Sequence, residues 1–508
     1  MFWKFNLMTT SHIDTLLDKE GVTLHELMDE DDILQECKAQ NRKLISLYPN
    51  TACELLTSDV QMINDALADE DEVHIKKLYA FLDTEKTLNP LLASFFSKVM
   101  GLLIARKSEM TLKFLQERED FVGVMLRHIG TSAIMDLLLR LLTCIESPEV
   151  KKAMIDWLNK EKIVQRLVTC ITPSYDEDIH SNAAQSLTDI IRLGREQIVQ
   201  LQDHAELLNT LLENMLTGEK NESVIVNGLS VIQTLLEFKK QSPDDSAEQM
   251  TTMDPEQMFT GIHNVLTAIC PRLKDFHAIL LEPPKQRFSF MPTTVGTLDP
   301  PLGNTRLQTS RLIASLLLTN THSINAELTR LGTISVLLDL YFKYIWNNFL
   351  HSHVTQCIYT ILCNSPIDVE GSKEHPLLNQ LFTEGKIMER ILDEWNTNEE
   401  EQGKERGRRK GFMGHLTRMA NDIVNAQEKG ENTETVKALV SELPDAIKER
   451  WEAFLTGLLT DTNKKNTVEL VQGHNLASSS EDDDADFSNI PFPQDTAMQQ
   501  VITNFINF

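Results

Sequence analysis

The word HSNAAQSLTDII at His180–Ile191 is met again as HSHVTQCIYTIL at His351–Leu362, 171 residues further on. In the second copy Val354, Cys357, Ile358, Ile361 and Leu362 fall at i, i+3, i+4, i+7 and i+8. That spacing draws one apolar stripe along an α-helix. Ala183, Leu187, Ile190 and Ile191 trace the same stripe in the first copy. An upstream apolar segment accompanies each word. KIVQRLV from Lys162 and TISVLLD from Thr333 put Ile163 and Ile334 each 17 residues ahead of their histidine. The pattern is a duplicated pair of helices.

Shorter offsets repeat it. Moving the first word forward by 42 residues meets ESVIVNGLSVIQ, where Ser223, Leu229 and Ile232 answer Ser181, Leu187 and Ile190. Moving EKIVQRLVTCI back by 42 meets EDFVGVMLRHI, and GKIMERILDEW from Gly385 copies the upstream helix once more. Helix pairs with a period near 40 to 47 residues are the mark of HEAT and armadillo arrays. One such pair cannot bury its apolar face, whereas stacked pairs hide each stripe against the next. The predicted fold is an all-α, HEAT/armadillo-like helical-repeat solenoid with a concave groove and a disordered acidic C-terminal tail. Helices apolar almost all round, such as Thr131–Ile145, are predicted to be the inner ones.

The segments follow from where this pattern starts and fails. Residues 1–47 read as an acidic helical lead-in. Residues 48–395 read as the solenoid, interrupted near 241–253 and 282–304. The second interruption, EPPKQRFSFMPTTVGTLDPPLGN, is too rich in Pro and Gly for a helix and reads as either a binding loop or a disordered one. A charged linker is predicted over 396–414, and closing helices over 415–472. Residues 473–508, with SSSEDDDAD at their centre, are predicted to be a disordered tail.

Composition narrows the functional classes. Of 508 residues, 41% are hydrophobic and only 6% aromatic, so Leu and Ile carry the core. Asp and Glu number 75 against 48 Lys and Arg, for a net charge of -27. Such a surface repels phosphate backbones and anionic lipid, which argues against nucleic acid as the main partner and against membrane insertion. The seven cysteines are scattered and never spaced C-x-x-C, as expected of buried thiols in a reducing compartment. MFWKFNL is too short for the apolar core of a secretory leader. The expected location is cytoplasmic, or nuclear as well.

Reactive constellations are missing. The sequence lacks G-x-x-x-x-G-K-[ST], G-x-S-x-G and H-E-x-x-H. His351 and His353 lie about 200° apart around a helix and cannot share a metal. His180 and His351 are assigned capping or surface roles. No enzyme and no cofactor or metal is expected. The candidate residues are instead ones that grip a partner. LDPPLGNTR offers Asn304 and Arg306 as free polar groups, or else is a rigid connector. KYIWNNFLH offers Trp346 and Asn347, with Trp346 either core plug or interface anchor. KERGRRKG offers Arg408 and Arg409, as a solvated linker or a dock for an acidic surface. Ser478, Ser479 and Ser480, beside acidic residues, suit acid-directed phosphorylation.

Longer blocks carry a resemblance. MFWKFNL, LMDEDDILQECKAQNRKL, YPNTACELLTSDV, LNPLLASFFSKVMG, HIGTSAIMDLLLRLLTCIE, WLNKEKIVQRLV, LEPPK, LDPPLGNTRL, KYIWNNFLH and GRRKGFMGHLTRMAN closely resemble the SAPS-domain proteins, regulatory subunits of protein phosphatase 6. The resemblance implies a non-catalytic scaffold that binds the phosphatase 6 catalytic subunit, together with an ankyrin-repeat regulatory subunit, and directs it to substrates. It adds His415 and Arg418 of the last block to the candidate contacts. A transport or trafficking adaptor is the alternative that the fold alone allows. Two departures from the family pattern stand out: Leu44–Tyr48 joins the NRKL and YPN blocks almost directly, and the chain ends at Phe508 where the family continues. A shortened form is expected, with an inner stripe partly uncovered near the first repeat.

Overall fold

A computed structural model of the protein describes residues 44–68, 71–197, 204–237, 255–284, 290–294, 296–369 and 372–467. Almost all of the predicted lead-in, the loop near 241–253 and the predicted tail lie outside these residues. The chain divides into two compact units, Met1–Phe454 and Leu455–Phe508. In the second, a π-helical turn over Leu455–Leu459 runs into a helix at Thr460–Asn466.

The first unit is built on a ladder of eight helices among the described residues: α1 (Leu44–Leu56), α2 (Pro90–Arg106), α3 (Ser132–Thr143), α4 (Glu177–Gln197), α5 (Glu222–Leu236), α6 (Asn304–Leu317), α7 (Asn348–Cys363) and α8 (Met413–Glu428). Each packs on the next in chain order. The first five begin at residues 44, 90, 132, 177 and 222, close to the period read from the sequence. The two copies of the repeated word are α4 and α7. The helical-repeat class is therefore as predicted.

Rungs flanked on both sides must be apolar on both sides, and they are. Ile134, Leu137, Leu138, Leu141 and Leu142 of α3 are buried between α2 and α4, and α5 buries Val224, Ile225, Leu229, Val231, Ile232 and Leu236. Each such side chain is worth about 1.5–3 kcal/mol of transfer free energy. Polar ties cross the same joints. Asn182 donates to the Ile129 carbonyl at 2.9 Å, Asn364 to that of Leu317 at 2.9 Å, and Asn432 to that of Leu362 at 2.9 Å. Arg106–Asp59, Arg166–Asp120 and Arg390–Asp339 pair across successive repeats.

Between rungs run pairs of shorter helices: Ser108–Gln116 with Phe121–Arg127, Pro148–Lys160 with Ile163–Thr169, His322–Leu331 with Thr333–Lys343, and Pro376–Thr383 with Ile387–Gln402. One left-handed residue joins each pair: Asp120 (φ 45°), Lys162 (φ 56°), Gly332 (φ 66°) and Lys386 (φ 47°). The upstream segments recognised in sequence, starting KIVQ, TISV and KIME, thus begin at or just after a left-handed joint.

Two expectations are corrected. His180 and His351 are not surface groups, each being 1% exposed. His180 Nε2 donates to the Thr172 carbonyl at 2.7 Å, leaving Nδ1 to accept from the Ser223 hydroxyl of α5 at 3.0 Å. His351 sits among rings, described below. The predicted linker at 396–414 starts later, because the helix from Ile387 continues to Gln402 and only 403–412 is non-helical. The described part of the predicted 282–304 loop carries a short hairpin, Met291–Thr293 pairing antiparallel with Gly296–Leu298.

Candidate functional site

Three blocks far apart in sequence meet at one place. LDPPLGNTR leads into α6, KYIWNNFLH leads into α7, and GRRKGFMGH leads into α8, so consecutive rungs present their N-terminal ends side by side. Asn347 caps α7, its Oδ1 accepting from the Leu350 amide at 3.0 Å. Between the first two blocks opens a largely apolar cavity of about 640 Å³. Met291, Leu298, Asn304, Tyr344, Trp346 and Phe349 are among its walls, and Asn347 also lines it. Phe349 is 72% exposed and Trp346 46%, with Met291 at 45% on the hairpin side. Trp346 is therefore exposed and not a core plug. Large apolar groups bared together in this way mark a contact surface.

Arg306 is the exception among the candidates. It is 4% exposed, so it presents nothing to a partner. Its Nε donates to the Leu302 carbonyl at 2.6 Å, and Nη2 donates to the Pro301 carbonyl at 2.7 Å and the Tyr344 hydroxyl at 2.8 Å. Tyr344 in turn donates to the Pro300 carbonyl at 2.9 Å. Arg306 thus clamps the loop that forms the cavity wall.

The third block supports Trp346 from beneath. A Cβ on Gly411 would stand 2.6 Å from Trp346 Cε3 and 2.7 Å from the Ile345 carbonyl, so glycine there permits close seating of the indole. Phe412, fully buried, packs at a tilt against Tyr341 at 5.4 Å and edge-to-face against His351 at 5.7 Å between centroids. His415 Nε2 lies 2.8 Å from Asn348 Oδ1 and donates to it. Arg418 lies 5.9 Å from the Tyr359 ring and 3.9 Å from Asp422. Arg408 and Arg409 stand exposed on the joint just before Gly411 and carry no ion pair among the described residues.

Titration behaviour follows from this packing. Burial pushes His351 down to about 4, with His415 adding to the effect, and neither ring nitrogen has a hydrogen-bond partner of good geometry. His415 is also lowered, by burial first and by Arg418 second. The Tyr341 hydroxyl is raised by burial. None of these groups is paired as an acid and base around a reacting centre. Among the described residues no group of three or more His, Cys, Asp or Glu could hold a metal, and no helix is long and apolar enough to cross a membrane.

Asn304, Trp346 and Asn347 are thus brought together, and His415 adjoins them through Asn348; Arg408 and Arg409 stand exposed upstream of Gly411, and Arg418 lies further along α8. Ser478, Ser479 and Ser480 lie outside the described residues. The sequence reading missed Phe349 and Met291, although Phe349 stands inside KYIWNNFLH.

Residues 100–468 match the family described as SAPS, SIT4 phosphatase-associated protein. "Serine/threonine-protein phosphatase 6 regulatory subunit 3" of Gallus gallus is 49% identical over 99% of this chain and 63% of its own length. Regulatory subunit 1 of the same phosphatase from Homo sapiens is 46% identical, again over 99% of this chain and 63% of its own. "Extragenic suppressor of kinetochore protein 1" of Schizosaccharomyces pombe is 24% identical over 99% of this chain and 83% of its own. The chain spans less than two thirds of the length of the first two relatives. With the family match covering most of its helical ladder, the chain belongs to the SAPS family of SIT4 phosphatase-associated proteins.

Proposed function

We propose that this chain is a non-catalytic regulatory subunit that holds the catalytic subunit of protein phosphatase 6 and directs it to substrates. The observation that carries this reading is the convergence of three sequence blocks at the starts of consecutive rungs, where Trp346 and Phe349 stand bared and Gly411 of the third block meets the indole. The relatives' names, as regulatory subunits of that phosphatase, supply the identity of the partner. A scaffold of this kind acts by placement, raising the local concentration of substrate near a bound enzyme to the millimolar range. An ankyrin-repeat subunit completes the proposed assembly, in a reducing cytoplasmic or nuclear setting.

The test is co-purification of the catalytic subunit with tagged variants. Trp346→Ala and Phe349→Ala are each expected to weaken retention by roughly 30-fold or more, the range of central aromatic anchors. The Arg408→Glu, Arg409→Glu pair is expected to slow association and to do so less at high salt. Full retention by all these variants, with helix content unchanged, would place the interface elsewhere.

A further inference from the structure

A second opening lies near the other end of the ladder, between α1, α2 and α3. It has a volume of about 550 Å³ and brings Lys98, Arg106 and Arg140 together over a floor that includes Leu102 and Ala105. In a chain with a net charge of -27, three cations converging on one cleft run against the composition. Elsewhere, half-buried arginines are neutralised, as Arg166 is by Asp120 and Arg390 by Asp339. The side chains of Lys98 and Arg140 have no ion pair and no hydrogen bond among the described residues. Arg106 is bound to Asp59 and lies 3.5 Å from Glu146, a carboxylate on the cleft's own wall whose side chain is 82% exposed.

Arg140 is also held in position. Gly101 is buried in the middle of the 17-residue helix α2, where glycine costs about 1 kcal/mol relative to alanine. A Cβ there would stand 2.8 Å from Arg140 Cδ and 3.0 Å from Nη1. Glycine thus makes room for the arginine to cross α2 and leaves its guanidinium at the cleft. The hydroxyls of Thr57 and Thr143 already donate inward, to Cys53 and Leu139, so the cations are the groups left to recognise a ligand.

We propose that this cleft binds the phosphate of a phosphoserine or phosphothreonine within a peptide chain. A guanidinium with an unoccupied fork and a neighbouring ammonium suit a dianionic phosphate. The cleft is larger than one phosphate, and its apolar floor accepts a residue flanking the modified one. The overall negative charge disfavours longer polyanions such as nucleic acid or an anionic membrane. The anion site follows from the geometry alone, and its assignment to phosphorylated peptides rests on the regulatory reading above.

Fluorescence anisotropy on the full chain tests it, with a short labelled peptide bearing one phosphoserine and its unphosphorylated twin. The phosphorylated form is expected to bind at least about tenfold more tightly, since hydrogen bonds to charged groups are worth about 1.5–3 kcal/mol each. Arg140→Ala and Lys98→Ala are each expected to remove most of that preference. Gly101→Ala displaces Arg140 without deleting a charge and should weaken binding in the same direction. Arg140→Lys, the mildest change, guards against misfolding and should retain part of the preference. Equal affinity for the two peptides overturns the site, as does undiminished preference in the Arg140→Ala, Lys98→Ala double variant. Inorganic phosphate competing as well as the phosphopeptide overturns the peptide assignment. Retention of the catalytic subunit by these variants is read separately. Its loss from the parent chain refutes the regulatory proposal and leaves the anion site to the anisotropy result.

Discussion

Replacing Arg306 should open the wall of the large cavity without touching its exposed rim. The guanidinium donates three hydrogen bonds, two to carbonyls of Pro301 and Leu302 and one to Tyr344. It also lies 5.4 Å from the centroid of the Tyr344 ring. Hydrogen bonds from a charged donor are worth about 1.5–3 kcal/mol each, but the cost of burying the cation offsets part of their sum. Removing the arginine leaves the buried Pro301 and Leu302 carbonyls unpaired at about 1–3 kcal/mol each, a loss of about 2–6 kcal/mol. A ladder of repeats opens locally, so this loss should fall on the segment that Arg306 ties down. Hydrogen exchange is the fitting assay. Amides at 302–310 should exchange roughly 100- to 1,000-fold faster in Arg306→Ala, while those of α3 and α4 stay protected. Arg306→Lys should recover only part, since one ammonium cannot reproduce the planar fork. Exchange at 302–310 within about threefold of the parent in Arg306→Ala would refute the clamp.

Two further outcomes are expected. His351 is neutral when folded, its pKa lowered from 6.5 to about 4 chiefly by burial. The unfolded chain binds the extra proton first as pH falls, so stability holds above about 6.5 and declines towards 4, by up to about 3 kcal/mol. His351→Phe should shift the acid-unfolding midpoint downward, and an unmoved midpoint would dismiss His351 as its source. At the joint before Phe121, Asp120 accepts from the Gly123 amide at 3.1 Å and pairs with Arg166, which holds its carboxyl below the usual range. Asp120→Ala should cost about 1–2 kcal/mol by thermal denaturation and Arg166→Ala about 0.5 kcal/mol, because the exposed pair is worth less than the cap. Equal losses would show that the pair dominates.

The repeat architecture was legible because period and stripe are properties of sequence alone. Val354, Cys357, Ile358, Ile361 and Leu362 were assigned to one helical stripe, and all five are buried. Trp346 was legible as a candidate but not as exposed, since an indole between asparagines fits either environment. Its seating depends on Gly411, 65 residues later in the chain. Arg306 misled for a related reason. A charged residue after a Pro-Gly loop reads as solvent-facing until Tyr344, from another repeat, is seen to accept its proton. The histidines of the repeated word were misplaced because a helix start in a ladder is buried by the neighbouring rung, and no single-helix pattern records that neighbour.

The left-handed joints between the short helices leave the protein with adjustable reserves. Lys162 and Lys386 hold a backbone conformation that costs a residue with a Cβ about 1–2 kcal/mol, whereas Gly332 meets the same geometry freely. Exchanging either lysine for glycine or asparagine would relax one hinge and leave the packing of the rungs as it stands. Each module can therefore be stiffened or loosened at a single lattice point, and the firmness of the whole array set piece by piece.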